Sequence, residues 1–386
     1  MVTEPLALYV HWPFCQSKCP YCDFNSHVSD SIDQARWRDA LLSELAHCAA
    51  ETSGRRLSSV FFGGGTPSLM DPGTVAALIE AARGHWNFGP DVEITLEANP
   101  SSAERQKFRA LKDAGINRLS LGVQSFDDAA LRFLGRRHDA GEARRAIEDA
   151  NAVFQRTSFD LIYGLPDQDP SGWRAELEQA LDLAGEHLSV YQLTIEPGTA
   201  FFRDRVAAAD DDVAVDLFQI TRDFLQENGR PAYEVSNHSR PGAESRHNLT
   251  YWRGGDYAGI GPGAHGRLTT REGFTATHQI HDPARWLDAV AKAGHGTAKR
   301  RALAPRERAE EMVMTGLRLT EGLDLDRLES LSGLAWDRVL EGPRVEQCLT
   351  GGLLERRGTR LLATADGLLR LNAMIAALLA PDLDEG

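Results

Sequence analysis

Cys15, Cys19 and Cys22 stand within eight residues as Cys-x3-Cys-x2-Cys, inside the run YVHWPFCQSKCPYCDF. Three thiolates on one short loop can converge on a single inorganic centre, yet they fall one short of the usual four ligands. A [4Fe–4S] cube held this way keeps one iron free of protein ligands, open to a substrate or cofactor. The competing chemistry is a Cys3His zinc site with His11 or His27 as fourth ligand. Five cysteines, odd in number and clustered, read as metal or redox chemistry and not as a disulfide framework. Cys48 and Cys348 lie on apolar stretches and read as structural.

Other residues able to do chemistry follow at intervals. Gly63-Gly64-Gly65-Thr66-Pro67 lets a backbone approach a ligand closely. It lacks both the Gly-Lys-Ser/Thr continuation of a phosphate loop and the dinucleotide-binding spacing. Glu97, in LEANP, suits an ammonium or a ribose. Gln124, in GVQSF, and Arg136, in LGRRH, suit a ribose and a carboxylate respectively. Asp160 sits inside the apolar run FDLIYGLP, where burial without a partner is costly, so it is expected to face the open end of its strand. Inter-strand salt bridges are the structural alternative for these four.

The elements that must position them are short β-branched or aromatic runs: Leu6–His11, Ser59–Phe62, Val92–Leu96, Arg118–Val123, Ser158–Tyr163 and Leu188–Ile195. Helical spacing lies between them, as in Asp33–Glu51, where Trp37, Leu41, Leu45 and Cys48 form one stripe. Strands alternating with helices predict βαβ units and a parallel sheet. Each run ends in a distinctive turn (HWPFC, GGGTP, EANP, QSFD, GLP, EPGT), the end at which α/β barrels gather their active sites. The expected fold is α/β: a partial barrel of six units over residues 1–230, with a doubly wound sheet as the alternative. Residues 231–304 read as a Gly-, His- and aromatic-rich extension, without helical period up to His265. Residues 305–386 read as a small, mostly helical, winged-helix-like domain: helices at Pro305–Leu319, Asp326–Leu331, Trp336–Leu349 and Asp366–Leu379, and a hairpin near Gly358.

The whole chain of 386 residues is 42% apolar and 25% charged, an ordinary globular balance. No apolar run approaches the roughly 20 residues of a membrane helix, and the N-terminus has no signal-peptide pattern; a cytoplasmic protein is expected. Forty-two basic against 56 acidic residues leave a net charge of −14, which disfavours nucleic acid and anionic membrane surfaces. The C-terminal domain, with ten basic and fifteen acidic residues, gives no reason to expect DNA.

The cysteine loop resembles that of the radical S-adenosylmethionine (SAM) superfamily, and the resemblance spans most of the chain. It implies a [4Fe–4S] cluster on Cys15, Cys19 and Cys22, with SAM chelating the open iron. It implies adenine beside Tyr21 and the SAM amino group at Gly64, Gly65 and Thr66. Tyr9, Glu97, Gln124, Arg136 and Asp160 match SAM-contacting positions of the coproporphyrinogen III dehydrogenase-like branch. Two departures separate the chain from the dehydrogenases themselves: Phe24 stands where they carry a further cysteine, and only 14 residues precede Cys15. His247-Asn248-Leu249-Thr250-Tyr251-Trp252 instead resembles the HNxxYW signature of the related HemW haem chaperones. A histidine can ligate haem iron, and aromatics can pack on the macrocycle. His247, Tyr251 and Trp252 are therefore haem candidates, unless Tyr251 and Trp252 close a core while His247 caps a helix. GIGPGAHG (Gly259–Gly266) also matches and offers His265 as a further ligand, and GLRLTEGL (Gly316–Leu323) matches the C-terminal domain of this branch. The resemblance implies delivery of haem to respiratory acceptor proteins, membrane contact only through the acceptor, and no coproporphyrinogen dehydrogenase activity. Radical oxidative decarboxylation of coproporphyrinogen III is the alternative.

Overall fold

In the strands of the main sheet the side-chain period of two sorts apolar from polar residues. The computed structural model describes residues 4–29, 31–270 and 273–379. Its first six strands are β1 (Leu6–Trp12), β2 (Arg56–Gly64), β3 (Asn87–Ala98), β4 (Arg118–Gln124), β5 (Arg156–Tyr163) and β6 (His187–Gln192). Leu8 and Val10, Val60 and Phe62, Ile94 and Leu96, Leu119 and Leu121, and Phe159 and Leu161 all enter one buried apolar core. That core is completed by helices of at least seven residues: α1 (Gln34–Glu51), α2 (Pro72–His85), α3 (Ala140–Val153), α4 (Pro170–Leu183) and α5 (Asp211–Glu227). The alternate positions, among them Tyr9, Ser59, Glu93, Glu97, Ser158 and Asp160, therefore face the opposite side, the barrel interior. The six expected units are present, and the strand ends carrying the chemistry lie together at one mouth.

The sheet holds more than six strands. After α6 (Arg246–Trp252) come β8 (Asp256–Ile260), β9 (His265–Thr270), β10 (Gly273–Gln279), α7 (Pro283–Ala293) and β11 (Thr297–Ala302); β7 is the short Asn237–Ser239. The order is β11-β10-β9-β8-β1-β2-β3-β4-β5-β6-β7. β8 pairs parallel with β1, giving a seventh parallel strand, and β9 to β11 extend the edge antiparallel. The end strands do not pair, so the barrel stays partial. α6 corrects the expectation of no helix before His265. It has only seven residues, too few for a period to show, and starts where Ser245 Oγ accepts from the Asn248 amide at 3.3 Å.

The last part has its own core, including Met312, Val313, Leu328, Leu340, Leu361 and Ile375. Its helices are α8 (Pro305–Gly316), α9 (Leu325–Ser332), α10 (Gly342–Thr350) and α11 (Leu371–Leu378). A three-stranded sheet of Leu323–Asp324, Leu354–Arg357 and Arg360–Ala363 joins them. The helix expected over Trp336–Leu349 is split: a 3-10 turn at Trp336–Arg338 precedes α10, whose first turn holds Pro343. The last expected helix breaks at Arg370 into Ala365–Leu369 and α11. Charged pairs bind this unit to the barrel. Buried Arg308 approaches Asp256 at 3.9 Å, which Arg55 of the barrel also holds at 2.7 Å, and the partly exposed Arg327 bonds Glu4 at 2.7 Å.

Two polar groups fix parts of the fold that matter for the mouth. Below it, the segment ahead of and including α6 closes the interior. Glu93 accepts from Ser245 Oγ at 3.4 Å and from the His247 amide at 3.2 Å, and it pairs with Arg156 at 2.7 Å. At the mouth, Glu44 of α1 accepts from the amides of Gly261 (2.7 Å) and Gly296 (2.6 Å) and from the Trp286 indole (3.1 Å). It thereby fixes the turn between β8 and β9. Glu44→Ala leaves three buried donors unpaired and is expected to destabilise the protein by about 3 kcal/mol in urea denaturation. Arg36→Ala, which loses only an exposed pair with Asp288, should leave the midpoint where it is.

Candidate functional site

The cysteine loop is closed at its neck by a two-residue parallel ladder, Phe14 opposite His27 and Cys15 opposite Val28. Within it the Cys22 amide donates to the Cys19 carbonyl at 3.1 Å. Pro20 lies against Gly135, where an added Cβ would come within 2.6 Å of the proline ring, and its carbonyl accepts from the Phe201 amide at 2.9 Å. Each sulfur meets a polar neighbour. Thr66 Oγ1 donates to Cys15 Sγ at 3.5 Å, Arg136 donates to Cys19 Sγ at 3.3 Å, and Ser26 Oγ lies 3.9 Å from Cys22 Sγ. Burial pushes the Cys15 and Cys22 thiols above their usual range, so a thiolate there needs a cation or a metal centre to offset it. His11 is no fourth ligand: its ring nitrogens are taken by the Tyr9 hydroxyl (3.0 Å) and the Asn25 carbonyl (2.9 Å). The exposed His27 ring is tied to Asn25 Oδ1 at 2.9 Å. Three free sulfurs without a fourth side chain fit a cube with one open iron better than a closed zinc site.

A cavity of about 410 Å³ opens beside the loop, lined by the three cysteines, Tyr21, Gly64, Gly65, Thr66, Glu97, Gln124, Arg136 and Asp160. The glycines answer first to the chain behind them. A Cβ on Gly65 would sit 2.6 Å from the Phe14 carbonyl oxygen, and one on Gly64, whose φ is +113°, 2.9 Å from that of Trp12. Gln124 also has a positive φ, 75°, after a register shift between β4 and β5. A non-glycine residue in that conformation is uncommon and costs strain.

Glu97 accepts from the Gly64 amide at 3.3 Å. Its carboxyl is pushed up to about 8 by desolvation and by the charge of Asp160; that of Asp160 is pushed up to about 6 by desolvation. Two buried carboxyls of raised proton affinity, that of Glu97 partly through the charge of Asp160, suit a cationic ligand, and the sulfonium and ammonium of SAM are such groups. Arg136 is already engaged: one nitrogen binds Asn99 Oδ1 (2.5 Å) and the Gly122 carbonyl (2.7 Å), and only its buried Nε lacks a partner. Asn99 Nδ2 in turn donates to Thr66 Oγ1 at 3.1 Å, so a relay Arg136–Asn99–Thr66 links the donors of Cys19 and Cys15. Asn99 was not singled out from the sequence; its signal was its place two residues after Glu97 in LEANP.

The remaining candidates lie apart. Tyr9 lines a second cavity of about 390 Å³ that shares Gly64, Glu97 and Phe24 with the first, and Tyr251 reaches its wall. His247 is buried below, its Nδ1 against Ser59 Oγ (2.9 Å) and its Nε2 against the Tyr251 hydroxyl (2.8 Å). Burial lowers its pKa to about 3. Trp252 lies away from both cavities, beside Met312, Gly316 and Leu319. The structure thus does not bring His247, Tyr251 and Trp252 together on one cavity. Tyr251 alone of the three lines the second cavity, and Ser245, not His247, caps the helix.

A carboxyl whose folded pKa lies above its unfolded value holds its proton longer in the folded state, so stability falls as pH rises between the two. For Glu97 that window runs from about 4.5 to about 8. Cluster-free Glu97→Gln protein is expected to gain on the order of 2 kcal/mol over the parent at about pH 8 and nothing near pH 4, read by thermal denaturation. An equal gain at both pH values would mean that the Glu97 charge is not the cause.

Residues 9–183 match the family model described as Radical SAM superfamily, and residues 303–370 match the HemN C-terminal domain. The chain is 37% identical to the heme chaperone HemW of Escherichia coli strain K12, over 97% of this chain and 98% of that protein. It is 41% identical to the Mus musculus protein named radical S-adenosyl methionine domain-containing protein 1, mitochondrial, over 98% of this chain and 88% of that one. Among solved structures, coproporphyrinogen III oxidase (HemN) from Escherichia coli, a radical SAM enzyme, has the same fold. The TM-score is 0.80 at 24% identity, over 97% of this chain and 90% of that one. With near-complete coverage on both sides, the sequence relatives settle the family: this chain belongs to the HemW family, on the radical SAM scaffold.

Proposed function

We propose that this chain is a haem chaperone that binds haem and hands it to an acceptor protein. The observation that carries the reading is the match to HemW chaperones along nearly the whole chain. Phe24, 58% exposed where the resemblance to the dehydrogenases calls for a cysteine, supports it. In this reading Cys15, Cys19 and Cys22 hold a [4Fe–4S] cluster, and Thr66, Arg136 and Ser26 polarise their sulfurs. Tyr21, Gly64, Gly65, Glu97, Gln124 and Asp160 bind SAM, with the two carboxylates taking its positive charge. Arg136 then positions the cluster loop as well as the cofactor, and Tyr9 borders the haem side. SAM on a reduced cluster supplies radical chemistry; the chain's own residues hold, orient and shield.

Residues 1–230 carry the cofactors, residues 231–304 wall the haem, and residues 305–386 complete the body that meets an acceptor. A respiratory haem protein is the partner we infer, with membrane contact only through it and no part for nucleic acid. Among the described residues no helix is long and apolar enough to cross a membrane. All five cysteines are free, which suits a reducing compartment, in our reading the cytoplasm.

Anaerobically reconstituted full-length protein is expected to bind one haem per chain and to leave coproporphyrinogen III unconsumed in the presence of SAM and reductant. Turnover at enzymatic rates, or no uptake of haem, overturns the reading. Cys19→Ala should lose the visible absorbance of the cluster, whereas Cys48→Ala should keep it; loss in both would add a ligand to the three.

A further inference from the structure

The second cavity has a composition that the cofactor site does not use. Tyr9, Tyr251 and Tyr257 form its wall, with Tyr251 and Tyr257 edge to face at 4.3 Å between centroids. Phe24 stands at the boundary with the cluster cavity, and His265 and His281 line the opening. Both histidines are exposed, and among the described residues neither ring makes a hydrogen bond. His11 and His247 offer nothing comparable, because both their nitrogens are already bonded. Behind His265 the ring of His278 stacks at 4.0 Å and 26°, which restricts the plane of the outer imidazole.

No three His, Cys, Asp or Glu side chains among the described residues are placed to hold a bare metal ion. A free imidazole over aromatic walls instead suits a metal that brings its equatorial ligands with it, as iron does in a flat macrocycle, and of His265 and His281 only the former has a ring stacked against it. Asn25 ties this rim to the cysteine loop: its Nδ2 donates to the carbonyls of Pro262 and His281, each at 2.9 Å.

We propose that haem enters this second cavity and that His265, not His247, supplies its axial nitrogen, with His278 as the positioning residue behind it. The assignment rests on the haem-chaperone reading. The experiment is haem titration of full-length, cluster-loaded protein followed by its absorption spectrum. His265→Ala is expected to weaken haem binding at least tenfold and to shift the Soret band, and added imidazole should restore the parent spectrum. Its iron and sulfide content and its SAM binding should equal the parent's, which separates ligand loss from misfolding. His281→Ala should keep the parent spectrum. A parent-like spectrum and affinity in His265→Ala, or loss on His281→Ala alone, overturns the assignment and leaves the chaperone reading standing. If the parent chain takes up no haem, the chaperone reading fails and the assignment falls with it.

Discussion

The amides of Gly65 and Thr66 donate to the carbonyls of Trp12 and Phe14, each at 2.7 Å, and this backbone contact is what the mouth of the barrel depends on. It joins the end of β2 to the root of the cysteine loop. A side chain at Gly65 would have to occupy the space of the Phe14 carbonyl, so the triplet is a condition of the loop's position before it is a contact for any ligand. Once the root is held, the two-residue ladder at the neck and the packing of Pro20 on Gly135 leave the three sulfurs little choice of direction. The polar neighbours of those sulfurs come from three separate places: the β2 turn, the segment after β4 and the loop itself.

The second constraint is electrostatic. A barrel with a polar interior must pair the charges it buries, and this one does so with unequal completeness. At the bottom, Glu93, Arg156, Ser245 and His247 satisfy one another, and the result is a closed floor. At the mouth, burial raises the proton affinity of Glu97 and Asp160, the charge of Asp160 raises that of Glu97 further, and Arg118 offsets this only in part. The contrast separates structure from function in a single interior: the closed network holds the fold, and the carboxyl pair at the mouth faces the cavity that would take a ligand. The His247 amide belongs to the first class.

Much of this was legible in the residues. The cysteine spacing, the glycine triplet and the polar residues at strand ends pointed to one mouth, because chemistry in an α/β barrel gathers where strands finish. Tyr21, Glu97, Gln124, Arg136 and Asp160 line the first cavity together with the three cysteines and the Gly64–Thr66 turn. What stayed hidden was short or indirect. β8 is the five-residue run DYAGI, too brief and glycine-interrupted to read as a strand, and α6 spans under two and a half turns. Asn99 acts through partners on other elements, and a relay of that kind has no spacing to display. His247, Tyr251 and Trp252 were haem candidates through the likeness of HNLTYW to the HemW signature, and the bonds of His247 to Ser59 and Tyr251 leave no mark in the sequence.

Two adjoining cavities meet at Phe24, Gly64 and Glu97, and we assign one to a cluster and its cofactor and the other to a macrocycle. The most direct measurement of that claim is the haem-binding isotherm of the cluster-loaded protein with and without saturating SAM. Neighbouring sites predict that both ligands are held at once, with one haem per chain at full SAM occupancy. Release of haem in proportion to the SAM taken up would mean that the two compete for a single cavity, and would contradict the account.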